Sequence, residues 1–182
     1  MQITGGYLNS RKIKTIKSLE ARPTLSKTRQ GIFNSLLSVI KDFSGKTFLD
    51  LFAGSAIMSF EAVSRGFEEV ETVEKNKKTA LLIKENINTL KIEPDLYVGD
   101  ALKFLKSTDK KFDVIFIDPP YDSSLYDSSL EIIRTKKLLE AEGVIILEHK
   151  KNKLIDVNRF EIIKQKDYAD TKVTFLRISE AL

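Results

Sequence analysis

The sequence contains no cysteine, and its only histidine is His149. Without cysteine there can be no disulfide bond, no thiolate nucleophile and no cysteine-based zinc site. One histidine leaves a single candidate for a Ser-His-Asp relay and is too few for a histidine-rich metal site. We therefore expect no bound metal, and we interpret His149 as structural, beside Glu148 at the rim of a pocket.

Long hydrophobic runs are also missing. No apolar stretch approaches the ~20 residues of a membrane-spanning helix, and the amino terminus lacks the apolar core of a signal peptide. We therefore expect a soluble, cytoplasmic protein that does not bind a membrane. The 182 residues suit one domain with a small extension, and they are enough to bury a hydrophobic core.

Acidic residues are scarce at the front of the chain. Residues 1–40 contain one acid, Glu20, and have a charge balance of +6, whereas the whole chain has a net charge of +4. A basic front segment on a mildly acidic body is typical of a surface that binds a polyanion, with nucleic acid the first candidate. A merely solvated arm is the alternative. The basic residues are Arg11, Lys12, Lys14, Lys17, Arg22, Lys27 and Arg29.

The same front segment predicts a small structural extension. Gly5 and Gly6 separate two short pieces of β tendency, residues 2–4 and 12–16. This pattern favours a basic β-hairpin over residues 1–22 that lies outside the main core. Pro23 then interrupts the pattern, and Thr24 or Ser26 can cap a helix that runs to about Phe43. Residues 23–182 would form the main domain.

The stretch from Lys46 to Arg65 predicts a ligand site. Residues 47–52 have the length and apolar character of a buried strand, residues 53–56 are a turn of small residues, and a helical pattern follows. Backbone N–H groups at such a helix start can face a ligand beyond the end of the strand. The turn contains neither a phosphate-binding loop nor GxGxxG, which favours a nucleoside-containing cofactor without a pyrophosphate. A purely structural turn is the alternative.

The remaining pattern predicts the fold class. Further strands are expected over residues 69–73, 96–98, 112–117, 144–147, 160–164 and 172–178, and helical patterns separate the first five strands of the chain. Strands that alternate with helices require a mainly parallel sheet with helices on both faces. The last two strands have no helix between them and favour an antiparallel hairpin at one edge. The predicted class is therefore α/β.

Acidic residues follow several of the predicted strands. Because parallel strands end at one edge of a sheet, Glu74, Asp100, Asp118 and Glu148 should gather near Gly54. Glu74 is placed to accept hydrogen bonds from a ribose diol, and Asp100 with the Ala101 backbone could bind the edge of an adenine. Each of these acids, taken alone, could instead be a solvated carboxylate at a strand end.

Asp118-Pro119-Pro120-Tyr121 is the most specific motif. The two prolines fix the backbone and supply no N–H, so the Asp118 carboxylate and the Pro119 carbonyl become rigid acceptors. Such a pair suits a substrate that brings two N–H donors, namely an exocyclic NH₂ group. Tyr121 offers a flat face on which a base could stack. A plain Pro-Pro turn is the alternative.

These motifs resemble a known family. DLFAGSA, the acid Glu74, Gly99-Asp100-Ala101 and DPPY are similar to class I S-adenosylmethionine-dependent methyltransferases that act on exocyclic amines. The chain more specifically resembles the RsmD family, whose members methylate N2 of one guanine in small-subunit (16S) ribosomal RNA. This second resemblance covers nearly the whole chain and depends on GGYLNSRKI, Arg22-Pro23-Thr24, Arg29, Phe33-Asn34, SRG at 64–66 and residues 168–175.

The resemblance implies a Rossmann-like domain with a seven-stranded, mostly parallel sheet and an antiparallel C-terminal hairpin. It implies S-adenosylmethionine as the cofactor and 16S ribosomal RNA, in an assembling or assembled small subunit, as the partner of a monomeric enzyme. The implied cofactor-binding residues are Asp50, Phe52, Ala53, Gly54, Ser55, Glu74, Lys75, Asp100, Ala101 and Asp118. The implied catalytic residues are Asp118, Pro119, Pro120 and Tyr121, and the implied RNA-binding residues are Arg11, Lys12, Arg22, Thr24, Arg29 and Tyr121.

Ala56 departs from the family pattern, which has glycine at this position. Its methyl group could crowd the cofactor, or the position could simply require a helix-compatible φ that alanine adopts readily. Two other functions stay open. DPPY also occurs in enzymes that methylate N6 of adenine in DNA or RNA, and Ala56 would favour an inactive nucleic-acid-binding module. Cytosine-C5 methylation is excluded, because that reaction needs a thiolate and the chain has no cysteine.

Overall fold

The computed structural model describes residues 1–15, 26–120 and 124–179 of the chain. The predictions for Arg22, Thr24 and Tyr121 lie outside the described residues. Within these ranges the chain forms five helices: α1 (Ser26–Ile40), α2 (Ile57–Ser64), α3 (Lys77–Leu90), α4 (Ala101–Ser107) and α5 (Leu125–Thr135). The same ranges contain seven strands: β1 (Thr47–Asp50), β2 (Glu69–Glu74), β3 (Asp95–Val98), β4 (Phe112–Ile117), β5 (Leu139–Lys150), β6 (Phe160–Tyr168) and β7 (Thr171–Ile178).

The seven strands form one sheet in the order β3-β2-β1-β4-β5-β7-β6. Strands β1 to β5 pair in parallel, whereas β7 runs antiparallel to both β5 and β6. This confirms the predicted mostly parallel sheet with an antiparallel C-terminal hairpin. The strand order reverses at β1, which lies between β2 and β4. In such a sheet a crevice opens at that point, beyond the carboxyl ends of the strands.

Two hydrophobic clusters cover the two faces of the sheet. Phe48 of β1 belongs to the first cluster and Leu49 to the second, and Val114 and Ile115 of β4 alternate in the same way. Because successive side chains of a strand point to opposite faces, these strands are buried on both sides. Helices α1, α2 and α3 contribute to the first cluster, and α4 and α5 to the second.

Residues 1–15, which we call the N-terminal segment, pack on the first of these faces. A single antiparallel bridge joins Gln2 to Lys12. Ile3, Leu8 and Ile13 are at most 6% exposed and belong to the first hydrophobic cluster. The prediction that the hairpin lies outside the core is therefore wrong. These three apolar residues share that cluster with residues of α1, α2 and α3.

Helix α1 ends earlier than its apolar pattern predicted. Lys41 adopts a φ of +66°, a left-handed conformation that stops a right-handed helix. Phe43 nevertheless stays in the core, where its ring stacks on Phe67 with the two centroids 4.8 Å apart. No helix in the described ranges is both long enough and apolar enough to cross a membrane.

Candidate active site

A cleft of about 590 Å³ opens at the carboxyl ends of β1, β2 and β4. Small-molecule sites are typically about 300–1,000 Å³ in volume. The structure brings together here, from four separate parts of the chain, every residue that the sequence analysis assigned to cofactor binding. They are Asp50, Phe52, Ala53, Gly54, Ser55, Glu74, Lys75, Asp100, Ala101 and Asp118.

The turn between β1 and α2 is fixed by its own backbone. Gly54 and Ala56 both have a positive φ, +53° and +59°. The Gly54 N–H donates to Oε2 of Glu74 at 2.8 Å, and the Ala56 N–H donates to the Ala53 carbonyl at 2.7 Å. The Ser59 N–H, in the first turn of α2, donates to Oδ2 of Asp50 at 3.1 Å. These three backbone donors therefore bind the protein itself and do not face a ligand.

Ala56 occupies a conformation that glycine adopts without strain. The left-handed φ of +59° costs an L-residue roughly 1–2 kcal/mol, so the expectation of a helix-compatible φ at this position is wrong. The methyl group is fully buried in the first hydrophobic cluster, and Ala56 is not among the residues that line the cleft. The alanine therefore adds backbone strain, and its methyl group fills the core instead of crowding the cleft.

Glu74, the last residue of β2, supports the turn from the side. Its Oε2 accepts the Gly54 N–H, and its Oε1 accepts the Asn76 N–H at 2.6 Å. Partial burial raises the pKa of this carboxyl, while the backbone N–H groups act in the opposite direction. A carboxylate offers about four lone-pair directions. Glu74 can therefore still accept hydrogen bonds from hydroxyl groups of a ligand in the cleft.

Asp100 follows β3 and caps helix α4. Its Oδ1 accepts the Lys103 N–H at 3.1 Å, and its Oδ2 lies 3.5 Å from Nζ of Lys75. The hydrogen bond from Lys103 lowers the pKa of Asp100, which keeps the carboxylate ionised. An ionised acceptor beside the apolar Ala101 fits the edge of a purine that carries an amino group.

Asp50 is 1% exposed and carries a carboxyl group at the cleft. Its Oδ2 accepts hydrogen bonds from the N–H and the hydroxyl group of Ser59, at 3.1 and 2.8 Å. The Ser59 hydroxyl also accepts a hydrogen bond from Thr72 of β2 at 2.9 Å. Burial raises the pKa of Asp50 to about 7, and the negative charges of Asp118 and Glu74 act in the same direction. Asp50 thus fastens helix α2 to the sheet beside the cleft.

Asp118 follows β4 directly, and its half-buried side chain borders the cleft. Pro120 lines the cleft as well, whereas Pro119 is buried and is not among the lining residues. Neither proline has an N–H group, so no backbone N–H donor lies between the Asp118 carboxylate and the Pro119 carbonyl. The Asp118 carboxylate can therefore accept a hydrogen bond from a group at the edge of the cleft, and the acceptor role of the Pro119 carbonyl stays a prediction.

Arg29, predicted to contact RNA, is instead a buried structural residue. Its side chain is 2% exposed. The guanidinium donates from Nε to Oε1 of Glu61 at 3.3 Å and from a terminal nitrogen to the Gln2 carbonyl at 2.6 Å. The predicted direct contact between Arg29 and RNA is therefore wrong, because the charged group is buried within the protein itself. Arg11 and Lys12, in contrast, are exposed.

His149 is held inside the C-terminal hairpin. Its Nε2 lies 3.1 Å from the Thr174 hydroxyl, and its Nδ1 lies 2.9 Å from the Lys150 carbonyl. Burial lowers the pKa of this imidazole. These contacts support the structural interpretation of His149. Glu148 is 4% exposed and is not among the residues that line the cleft, so its predicted place at the pocket rim is wrong.

Both methionines of the chain, Met1 and Met58, line the cleft as well. The Ser55 hydroxyl donates to Sδ of Met1 at 3.4 Å. No sequence pattern predicted this, because Met1 reaches the cleft only through the packing of the N-terminal segment. Among the described residues there is no group of three or more His, Cys, Asp or Glu side chains suited to a metal ion.

Comparisons of the sequence identify relatives over most of its length. The family model described as "Conserved hypothetical protein 95" matches residues 1–177. Ribosomal RNA small subunit methyltransferase D of Haemophilus influenzae is 31% identical over 172 residues, which cover 91% of this chain and 88% of that protein. The protein of the same name from Buchnera aphidicola subsp. Acyrthosiphon pisum is 35% identical over 157 residues, or 85% of this chain and 81% of the relative.

Solved structures share the fold. The candidate methyltransferase yhhF of Escherichia coli has a TM-score of 0.87 over 98% of this chain and 97% of its own, at 23% identity. A candidate methylase from Haemophilus influenzae has a TM-score of 0.80 over 98% of both chains, at 27% identity. From its family match and its relatives, this chain belongs to the RsmD family of class I, S-adenosylmethionine-dependent methyltransferases.

Proposed function

We propose that this protein transfers a methyl group from S-adenosylmethionine to the exocyclic N2 amine of a guanine in 16S ribosomal RNA. The observation that carries the proposal is the position of Asp118 and Pro120 at the edge of the cleft that Gly54 and Glu74 border. Relatives named ribosomal RNA small subunit methyltransferase D support ribosomal RNA as the substrate class. The proposed substrate is this RNA in an assembling or assembled small ribosomal subunit.

The cleft contains the groups that S-adenosylmethionine requires. Glu74 would accept hydrogen bonds from the ribose hydroxyls, because its carboxylate has lone pairs beyond the two that Gly54 and Asn76 occupy. Asp100 and Ala101 would hold the adenine edge, and the methionine part would lie beside the turn at Gly54. When bound, S-adenosylmethionine supplies a methyl group on a positively charged sulfur, which a neutral amine can attack.

The protein's contribution to the reaction is to position the amine. The lone pair of an aryl amine is delocalised into the ring, so the free amine is a poor nucleophile. The Asp118 carboxylate and the Pro119 carbonyl would accept its two hydrogens and direct the lone pair towards the cleft. Positioning and electrostatic stabilisation then supply most of the rate enhancement. The amine nitrogen loses its proton after it has gained the methyl group, and Asp118 or water accepts that proton.

The N-terminal segment would bind the RNA backbone. Arg11 and Lys12 are exposed on it, and cations at such positions neutralise phosphates and release counterions. Arg22, Thr24 and Tyr121, outside the described residues, belong to the same proposal as contacts to the RNA and the target base. A paired guanine must leave its helix to reach Asp118, at a cost of a few kcal/mol. Phosphate contacts would offset that cost.

The first prediction concerns Asp118. Asp118→Ala should lower the rate of methyl transfer by about 100-fold or more, because an acceptor for the reacting amine is lost. The affinity for S-adenosylhomocysteine, measured by calorimetry, should change little. Asp109→Ala is the matched control, since this aspartate has a 95% exposed side chain and pairs with Lys136 away from the cleft. If Asp118→Ala abolishes cofactor binding as well, Asp118 is structural.

Nucleoside analysis tests the substrate. Small-subunit ribosomal RNA lacking this modification is incubated with the enzyme and tritiated S-adenosylmethionine, then digested to nucleosides. We expect the label in N2-methylguanosine. Label in N6-methyladenosine would replace the proposal with adenine methylation. Calorimetry that detects no binding of S-adenosylhomocysteine would instead favour an inactive RNA-binding module.

A further inference from the structure

Tyr7 is an aromatic side chain that the fold leaves in the solvent. It is 70% exposed, and no other aromatic residue in the described ranges is exposed. The chain has eleven phenylalanines and five tyrosines, and the described ones are otherwise buried or half-buried. A single exposed apolar group needs no explanation by itself. Its backbone and its neighbours, however, give this one a distinct setting.

The turn that carries Tyr7 is firmly attached to the end of helix α2. The Tyr7 N–H donates to the Ser64 carbonyl at 2.9 Å, and the Leu8 N–H donates to the Ser64 hydroxyl at 2.8 Å. The same hydroxyl donates to the Gly5 carbonyl at 2.5 Å. Gly6 has a φ of +74°, and a Cβ there would collide with the backbone of Ser64. The ring is therefore attached to an ordered backbone, which lowers the conformational-entropy cost of binding a partner.

Two basic residues, Arg11 and Lys12, follow Tyr7 closely in the chain. The Arg11 N–H donates to the Leu8 carbonyl at 3.0 Å, which places Arg11 in the same turn, and Lys12 follows it. Both side chains are exposed, and neither forms an ion pair with another residue in the described part of the chain. A flat aromatic face beside basic side chains is the combination that proteins use to bind unpaired nucleotides. A protein partner would instead require a wider apolar patch, but Asn9 and Ser10 are exposed polar residues.

We propose that Tyr7 stacks on an unpaired base of the substrate RNA while Arg11 and Lys12 contact its phosphates. The proposal rests on the proposed function, because it takes RNA as the substrate. Helix α2 begins next to the cleft and ends at Ser64, beneath this turn. Eight helical residues span about 12 Å. The stacked base is therefore a different nucleotide from the one that is methylated, and it fixes how the RNA lies on the enzyme.

The absence of tryptophan makes a direct test possible. Tyr7→Trp introduces a single fluorescent indole at the proposed stacking position. Ile162→Trp is the matched control, because Ile162 is 46% exposed and lies on edge strand β6, paired with Leu176 of the second cluster. Each variant is titrated with a short single-stranded RNA, and with inorganic polyphosphate as a polyanion without bases. We expect RNA to quench the indole of the Tyr7→Trp variant strongly, with polyphosphate and the control position giving little change. No quenching of that indole by RNA, or equal quenching by polyphosphate, overturns the proposal.

Affinity measurements separate stacking from charge. Tyr7→Ala should weaken RNA binding by about 5- to 100-fold, and Tyr7→Phe should retain most of the affinity because it keeps the ring. Stacking releases no counterions, so the dependence of affinity on salt should have the same slope in wild type and Tyr7→Ala. An unchanged thermal unfolding midpoint confirms that Tyr7→Ala is folded. Equal affinities of wild type and Tyr7→Ala would refute the stacking role.

The two proposals fail in different ways. If wild type forms N2-methylguanosine but the fluorescence of the Tyr7→Trp variant does not respond to RNA, the stacking proposal alone is wrong. If wild type methylates no RNA at all, the proposed function is wrong, whatever that fluorescence does.

Discussion

Asp50 borders the cleft and also stabilises the fold beside it. Its Oδ2 accepts a hydrogen bond from the hydroxyl group of Ser59 in helix α2. The carboxyl groups of Asp118 and Glu74 raise its pKa further beyond the effect of burial. The charges of Glu74 and Asp118 thus oppose ionisation of Asp50 in the absence of a cation. A positively charged ligand in the cleft would relieve this repulsion.

Asp50→Asn should change how stability depends on pH. The pKa of Asp50 rises from 3.8 in the unfolded chain to about 7 in the fold. Between these values the folded protein binds more protons than the unfolded chain, so this residue lowers the free energy of unfolding as pH rises towards 7. Asparagine removes this effect. From pH 5 to pH 8 the variant should gain about 2–3 kcal/mol relative to wild type.

Urea unfolding of both proteins at several pH values measures this difference. The comparison reports Asp50 together with its coupling to Glu74 and Asp118, because distant titrating groups such as His149 contribute equally to both proteins. Two curves that stay parallel across the range would contradict the prediction.

Among the elements, the N-terminal segment is attached to the domain in several places, and one of them is a buried carboxylate. Glu61 of helix α2 is fully buried. Its Oε1 accepts hydrogen bonds from the Thr4 N–H and hydroxyl, both at 2.7 Å, and from Nε of Arg29. Its Oε2 accepts from Nε of Arg65 at 3.2 Å. One side chain thus joins the segment, α1 and α2, and through Met1 the segment also reaches the cleft.

Glu61→Gln should therefore be strongly destabilising. The variant leaves the Arg29 guanidinium buried without its carboxylate, and such changes cost about 3–5 kcal/mol. Chemical denaturation measures the loss, and hydrogen exchange should show faster opening at the Thr4 amide. Glu68→Gln is the matched control, because Glu68 is exposed just beyond the same helix, and it should change stability by about 0.5 kcal/mol or less. Equal effects of the two variants would contradict the central role of Glu61.

Across the whole molecule, the charge and the cleft have a simple spatial relation. The N-terminal segment carries exposed cations on the face that α1, α2 and α3 cover, whereas α4 and α5 lie on the other face. The cleft opens at the edge that both faces share. Under the proposed function, RNA bound along the first face would reach Asp118 without crossing the sheet.

The salt dependence of RNA binding tests this arrangement. Arg11→Ala combined with Lys12→Ala should lower the slope of log affinity against log salt by about 1 to 2, since up to two phosphate contacts are lost. Lys106→Ala combined with Lys111→Ala, two exposed positions at and after α4, should leave the slope unchanged. An unchanged slope in the first variant would refute the phosphate contacts of the N-terminal segment.

Local pattern was sufficient for the fold and for three of the acids that line the cleft. Apolar runs, helical periodicity and small-residue turns are properties of neighbouring residues, and they predicted the strands that form the sheet. Parallel strands must end at one edge, so the acids that follow them met there: Glu74, Asp100 and Asp118 line one cleft. The tyrosine of DPPY lies outside the described residues, so its stacking role stays a prediction.

Packing between distant segments determined the remainder. Arg29 looks like any basic residue near a helix start, but its partner Glu61 lies 32 positions later and buries it. Packing between distant segments also places Met1 in the lining of the cleft and leaves Glu148 out of it. The sequence at Ala56 is compatible with a helical φ, but the turn in the structure requires a positive φ there. Which side chains become buried depends on which faces meet, and no local window of the chain contains that information.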